Sequence, residues 1–249
     1  MQEDLGGKVA LVTGSSRGLG RHDALHLAQA GADVIIHDLN ASAAAAFGEA
    51  ASGPAVAEQI RASGRRSAFF AADLTEAAQV EQLVRQAVEA FGHIDILVNN
   101  AGGDMDARTP RPDPNNALDI SPEDIRAVLE RNLLTTMYTC KYTGLHMRAR
   151  RSGKIINVGS SAGHMAVQTG SIYAAAKAGI AHYTRCLAEE LHAYEITVNC
   201  IAPAPTYTGR FLATRTVDSQ EGLSRLQRIA QPEAWQRLST SWLVHNRSI

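Results

Sequence analysis

The chain has 249 residues, room for one large domain or two small ones, and its 45% apolar and 20% charged content is that of an ordinary globular protein. Its formal charge is −1, from 24 basic and 25 acidic residues. That balance gives no electrostatic reason to expect nucleic acid or an anionic membrane as a partner.

No apolar run approaches a membrane span, and the acidic start Met1-Gln2-Glu3-Asp4 lacks the apolar centre of a signal peptide, so a cytoplasmic location is expected. Cys140, Cys186 and Cys200 are widely spaced and form no CxxC pair. Each stands in an apolar context, which predicts buried, reduced thiols and no metal site.

Lys8 to Thr13 reads as a short buried strand, followed by Gly14-Ser15-Ser16-Arg17-Gly18-Leu19-Gly20 and a helix to Ala30 that Gly31 ends. Asp33 to His37 reads as a second buried strand with Asp38 at its end. Strand, glycine turn, helix, strand and acid form the nucleotide-binding half of a doubly wound sheet. Glycines let the backbone approach a pyrophosphate, and the helix N-terminus offers free N–H groups and a positive dipole end. Asp38 can accept bonds from the adenosine ribose and repel a 2′-phosphate, which favours NAD. Arg17 offsets part of that repulsion and leaves NADP possible.

Asn40 to Gly53 is rich in Ala, Gly and Ser and reads as the start of a second helix with an inserted loop, continuing from Pro54 to Ala62. Arg66 to Ala71 is a third strand, ending in Asp73-Leu74. Thr75 is a candidate N-cap for a helix to Phe91. Asp95 to Asn99 is the fourth strand, ending in Asn99-Asn100-Ala101-Gly102. Residues 103–120 are irregular and Pro-rich, a surface loop. Ser121-Pro122-Glu123-Asp124 then has cap, N1 proline and first-turn acids in order, opening a helix to about Arg150. Lys154 to Val158 and Ile196 to Ile201 are the fifth and sixth strands, separated by a helix from about Ser171 to His192. The alternation predicts an α/β fold: a doubly wound parallel sheet with helices on both faces, a three-layer Rossmann type.

On the helix from Ser171, Tyr173 and Lys177 are four apart and share a face with Ile180, Leu187 and Leu191. A lysine in a mostly apolar stripe needs a partner or a task. Snorkelling from the stripe edge is the plain alternative.

In order and spacing these residues closely resemble the short-chain dehydrogenase/reductase family, in its single-domain form, from about Lys8 to Glu233. The carriers are Thr13 to Gly20 (TGxxxGxG), Asp73-Leu74, Asn99 to Gly102 (NNAG), Asn132, Ser160 and Tyr173 to Lys177 (YxxxK). The resemblance implies Tyr173 as catalytic acid/base, Lys177 as its partner, Ser160 as the residue bonding the substrate oxygen, and Asn132 as a fourth member. Asn132 would bend its helix locally and hold a water in a relay to Lys177. The cofactor set implied is Gly14, Ser16, Arg17, Gly18, Leu19, Gly20, Asp38, Asp73, Leu74, Asn100, Ala101, Gly102, Tyr173, Lys177, Thr206 and Thr208. Asp73 and Leu74 flank the adenine, and Thr206 and Thr208 match positions that touch the carboxamide and phosphates. The chemistry suits these types: a lysine cation and the oxidised nicotinamide favour a phenolate, which takes the proton of a substrate alcohol.

Three departures stand out. Pro203-Ala204 replaces the family's Pro-Gly, and alanine resists φ > 0. The 103–120 loop is longer than in most relatives. After Gln231-Pro232-Glu233 the remaining residues, 234–249, form an atypical tail with no strand of adequate length, so the usual seventh strand is expected to be missing, by a frame change or altered ending. That would leave the sixth strand as an edge and weaken the expected homo-oligomer, a dimer or tetramer.

The expected function is hydride transfer between NAD(H) and a secondary alcohol or ketone as small-molecule substrate. The rivals are an NAD-binding protein with little turnover and an NADP-linked 3-oxoacyl reductase.

Overall fold

The computed structural model describes residues 4–47, 52–104, 111–204 and 206. Thr208 and the 234–249 tail, with the expectations attached to them, lie outside the described residues.

Six strands form one parallel sheet: β1 (Val9–Val12), β2 (Asp33–Asp38), β3 (Ser67–Ala71), β4 (Ile96–Asn99), β5 (Gly153–Val158) and β6 (Ile196–Ile201), in the order β3-β2-β1-β4-β5-β6. The helices between them are α1 (Gly18–Gln29), α2 (Gly53–Ala62), α3 (Ala77–Phe91), α4 (Pro122–Leu129), α5 (Thr135–Arg150) and α6 (Ser171–His192). This is the doubly wound α/β fold expected of the sequence.

Alternation along each strand sorts the core into two layers. Ala10, Val12, Val34, Ile36, Val98 and Ile156 face Leu27 of α1 and Val56 and Ile60 of α2. Val9, Leu11, Ile35, Leu97, Ile155 and Val198 face Val84 of α3, Met147 of α5 and Leu191 of α6. Each such side chain, fully buried, contributes about 1.5–3 kcal/mol. The central strands are buried on both faces, so they read as continuous apolar runs.

Neighbours β1 and β4 are paired in register Val12↔Val98. Their following helices leave to opposite faces, and a crevice opens beyond their C-terminal ends.

Several local expectations need correction. The helix before β4 has Glu76, not Thr75, at its N-cap position and begins at Ala77. Asp73 Oδ1 accepts from Thr75 N at 2.9 Å and Thr75 Oγ1 at 2.7 Å. The charged acceptor captures the hydroxyl that would have capped the helix. No helix starts at Asn40 either. Its side chain accepts from Ser42 N at 3.0 Å, a local turn followed by a short 3₁₀ segment, Ala43–Phe47.

The stretch expected as one helix to Arg150 is continuous but not uniform: Glu130–Leu134, between α4 and α5, is a π turn. Ser121 caps its start as expected, accepting from Asp124 N at 3.0 Å. Cys186 also departs from expectation. It is exposed, on the outer side of α6 one step off the apolar stripe, whereas Cys140 is buried and Cys200 partly so. Burial pushes the Cys140 thiol up to about 12.

Candidate active site

The crevice is a cleft of about 1410 Å³ at the C-terminal edge of the sheet. One half of it starts at the glycine turn between β1 and α1. Gly14 has φ +60°, and a Cβ there would meet Ala101 Cα at 3.0 Å. Gly20 is packed more tightly: a Cβ would lie 2.3 Å from Asn100 Nδ2 and 2.4 Å from Gly14 O. Only a bare Cα fits. Asn100 Nδ2 donates to Thr13 O and to Gly14 O, both at 3.0 Å, and Thr13 Oγ1 accepts from Asn100 N at 3.1 Å and from Ala101 N at 3.0 Å. The end of β4 is thereby laced to the glycine turn, which leaves a backbone cradle of the kind a pyrophosphate requires.

The wall of this half includes Gly14, Arg17, Gly18, Leu19, Asp38, Asp73, Leu74, Asn100, Ala101 and Gly102. Ser16 and Gly20 are not on it. Ser16 is fully buried, and its hydroxyl donates to Asp38 Oδ2. Asp38 Oδ1 accepts from Leu39 N at 2.9 Å. Both bonds aim the carboxylate at the mouth of β2.

One residue of this wall had drawn no notice in the sequence. His37, the residue before Asp38, is 2% exposed. Its Nε2 lies 3.1 Å from Ala72 O, and its Nδ1 accepts from Gly14 N at 3.4 Å. This pattern assigns the proton to Nε2. Burial lowers its pKa below the usual 6.5, against the pull of the Ala72 bond and of the Asp38 and Asp73 charges.

In the other half, β5 ends at Val158 and a short 3₁₀ turn, Ser161–Gly163, follows Ser160. Ser160 Oγ accepts from Ala162 N at 3.2 Å. Tyr173 and Lys177 stand on one face of α6, with Lys177 Nζ 5.7 Å from the Tyr173 ring centroid. Lys177 is 4% exposed and donates to Val158 O at 2.8 Å, so it does not snorkel. Ile180 and Leu191 on the same stripe are buried. Ser160, Tyr173 and Lys177 all line the cleft.

Asn132 does not. It is fully buried. Its Nδ2 donates to Gly103 O and Val128 O, both at 2.8 Å, and its Oδ1 accepts from Gly103 N at 2.9 Å. Thr136 Oγ1 donates to Asn132 O at 2.9 Å. These side-chain bonds compete with the α ladder and account for the π turn here.

Ala204 strains nothing. Among the described non-glycine residues only Arg151 and Glu195 have positive φ. Thr206 lines the cleft with its hydroxyl donating to Ala204 O at 2.9 Å. The outer rim carries Asp104 and Arg111, joined at 3.1 Å.

The short chain dehydrogenase family model matches residues 8–218. The chain belongs to the short-chain dehydrogenase family. A cyclohexanol dehydrogenase of Rhodococcus sp. (strain TK6) is 42% identical over 211 residues, 83% of this chain and 77% of that one. A 3-oxoacyl-[acyl-carrier-protein] reductase of Synechocystis sp. is 35% identical over 231 residues, 91% of this chain and 85% of that one. Among solved structures, a short chain dehydrogenase from Burkholderia cenocepacia J2315 in complex with NADP is 31% identical, with a TM-score of 0.78 over 95% of this chain and 90% of that chain.

As a member of this family the chain is an oxidoreductase of CH–OH and keto groups with a nucleotide-binding Rossmann fold. No helix among the described residues is long and apolar enough to cross a membrane.

Proposed function

We propose that the chain is an NAD-preferring oxidoreductase that interconverts a secondary alcohol and a ketone. The observation that carries this reading is the convergence of Ser160, Tyr173 and Lys177 on one cleft with the glycine turn and Asp38. When bound, the nicotinamide supplies the carrier for the hydride exchanged with the substrate carbon.

The chain's own residues do the rest. In oxidation Tyr173 takes the proton of the substrate hydroxyl, and in reduction it returns it. The Lys177 ammonium, anchored on Val158 O, places a positive charge near the ring. Ser160 bonds the substrate oxygen and shares the charge that develops there. Asn132 acts from beneath the wall, fixing Gly103 and the width of the helix turn. Asp38 accepts from the ribose hydroxyls, and its charge opposes a 2′-phosphate.

The likeness to cyclohexanol dehydrogenase supports a compact secondary alcohol as first substrate. The test is an NADH fluorescence titration followed by NADH turnover with cyclohexanone and a panel of ketones. Binding without turnover on any of them would make this a nucleotide-binding protein instead.

A second reading, an NADP-linked 3-oxoacyl reductase, is favoured by Arg17, which lines the same cleft as Asp38, and by the likeness to the Synechocystis reductase. Comparing NADPH with NADH on a 3-oxoacyl thioester separates the two.

A further inference from the structure

We propose that His37 is a positioning residue of the nucleotide site: its Nδ1 braces the glycine turn as the acceptor for Gly14 N–H, its Nε2 bond to Ala72 O holds the ring in that tautomer, and dinucleotide affinity depends on the Nδ1 brace. The proposal rests on reading the cleft as a nicotinamide nucleotide site.

An imidazole is a costly occupant of this place unless both nitrogens are bonded. The three residues before it on β2, Val34, Ile35 and Ile36, are apolar and fully buried. His37 is equally enclosed, yet it meets the cost by spanning two segments. Nε2 donates to Ala72 O at 3.1 Å, and Nδ1 accepts Gly14 N–H at 3.4 Å.

Its main chain also braces the glycine turn. Ser15 N donates to His37 O at 2.8 Å, and His37 N donates to Ser15 Oγ at 3.1 Å. Ser15 Oγ donates in turn to Val12 O at 2.7 Å. Gly14 has no side chain to brace its own turn, and its backbone sits at φ +60°. Ala72 directly precedes Asp73 and Leu74, which line the adenosine side of the cleft. One side chain, seated on Ala72 O, therefore holds the glycine turn in place opposite the segment that leads to Asp73 and Leu74. Burial keeps the ring neutral, and Nδ1 remains an acceptor.

The test is a fluorescence titration of the full chain with NADH, with competition by ADP-ribose, at pH 7.5. His37→Leu keeps the volume and removes both bonds. His37→Gln reaches towards Ala72 O and drops the acceptor for Gly14 N–H. His37→Asn places an amide oxygen where Nδ1 stands.

The Leu and Gln variants are expected to bind NADH and ADP-ribose about 10-fold more weakly, the scale of one buried donor left unsatisfied. The Asn variant is expected to stay within about 2-fold of the parent, a rescue that a purely structural role would not produce. If the Leu variant does not fold, the Gln and Asn pair carries the comparison. Equal affinity across parent, Gln and Asn, or equal loss in Gln and Asn, overturns the proposal while leaving the nucleotide site in place. A parent that binds neither NADH nor NADPH overturns the nucleotide reading and this proposal with it.

Discussion

Lys177 Nζ donates to Val158 O at 2.8 Å, joining the apolar stripe of α6 to the last residue of β5. Val158 pairs with Ile201 of β6, and the two residues after Val158 bring the chain to Ser160. The bond therefore fixes the lysine relative to the strand that delivers the serine. The Tyr173 ring lies 5.7 Å from the same nitrogen, so the lysine links the tyrosine to the strand that leads to the serine. Tyr173→Phe removes only the phenolic oxygen, the proton carrier on the proposed reading. It is expected to lower kcat by at least 10²-fold, the scale of a lost general acid/base. The NADH dissociation constant should change by less than about 2-fold, well under the 1.4 kcal/mol of a tenfold step. Steady-state turnover with the best ketone, paired with NADH titration, checks this; retained turnover refutes the assigned role.

Gly20→Ala tests the cradle itself. The new methyl would lie 2.4 Å from Gly14 O, a backbone atom, and 2.3 Å from an Asn100 amide held by two hydrogen bonds. Neither neighbour can swing away freely. An overpacking cost of about 1–3 kcal/mol is expected, and each kcal/mol lowers Tm by roughly 2–4 °C in a chain of this size. The displaced turn should also bind NADH at least 10-fold more weakly, a step of about 1.4 kcal/mol. An unchanged Tm with unchanged NADH affinity would mean that the turn is looser than this geometry requires.

The sequence makes some of this arrangement legible and hides the rest for physical reasons. The strands are readable because parallel strands buried on both faces leave unbroken apolar runs, and Ile196–Ile201 lies at its expected limits. The Tyr173 helix is readable because a four-residue spacing puts both polar groups on one face. Thr75 misleads because helix capping is a local contest, and Asp73 wins the hydroxyl. Asn132 is visible as a poor helix former, but not its partner Gly103, which lies 29 residues earlier. His37 is the least legible: its two ring partners, Gly14 and Ala72, are 23 and 35 residues away. Only the sheet order brings them together.

On the proposed reading, Asp38 is the lever on cofactor choice. Its carboxylate is aimed by Ser16 Oγ and Leu39 N. A unit charge near a ribose phosphate is worth on the order of 1 kcal/mol in water and about 4 in a protein surface environment. Asp38→Ala is expected to shift the NADH-to-NADPH affinity ratio towards NADPH by about 10-fold or more, since 1.4 kcal/mol is a tenfold change. Parallel titrations with the two reduced cofactors measure it. A ratio that does not move would place the discrimination elsewhere, with Arg17 as the next residue to vary.

The three thiols should separate by reactivity. Cys186 is exposed, Cys200 is partly covered with its pKa raised chiefly by burial, and Cys140 is buried with its thiol pushed up to about 12. Thiolate fraction and access both set the rate. In native protein at pH 8, a disulfide reagent is expected to titrate Cys186 first and Cys200 slowly, with Cys140 released only on unfolding. Peptide mapping of a timed alkylation assigns the order, and early labelling of Cys140 would contradict its burial on the inner face of α5.

Acid should loosen the fold through buried imidazole. His37 has its pKa lowered, first by burial; His146 is lowered too, first by burial and then by the Arg150 and His93 charges. For a base whose folded pKa is depressed, the unfolded chain binds more protons in the window below the unfolded value near 6.5. The contribution to stability is therefore complete above about pH 6.5 and is lost as pH falls towards the folded value. Each group can change the unfolding free energy by at most about 1.4 kcal/mol per pH unit. Urea midpoints measured from pH 7.5 down to 5.5, which keeps most carboxylates out of the titration, should fall with pH. His37→Asn, which carries no titrating ring, should flatten part of that fall. A midpoint that is constant across the range, or a slope identical in the Asn variant, would contradict the lowered pKa of His37 and its role as acceptor for Gly14 N–H.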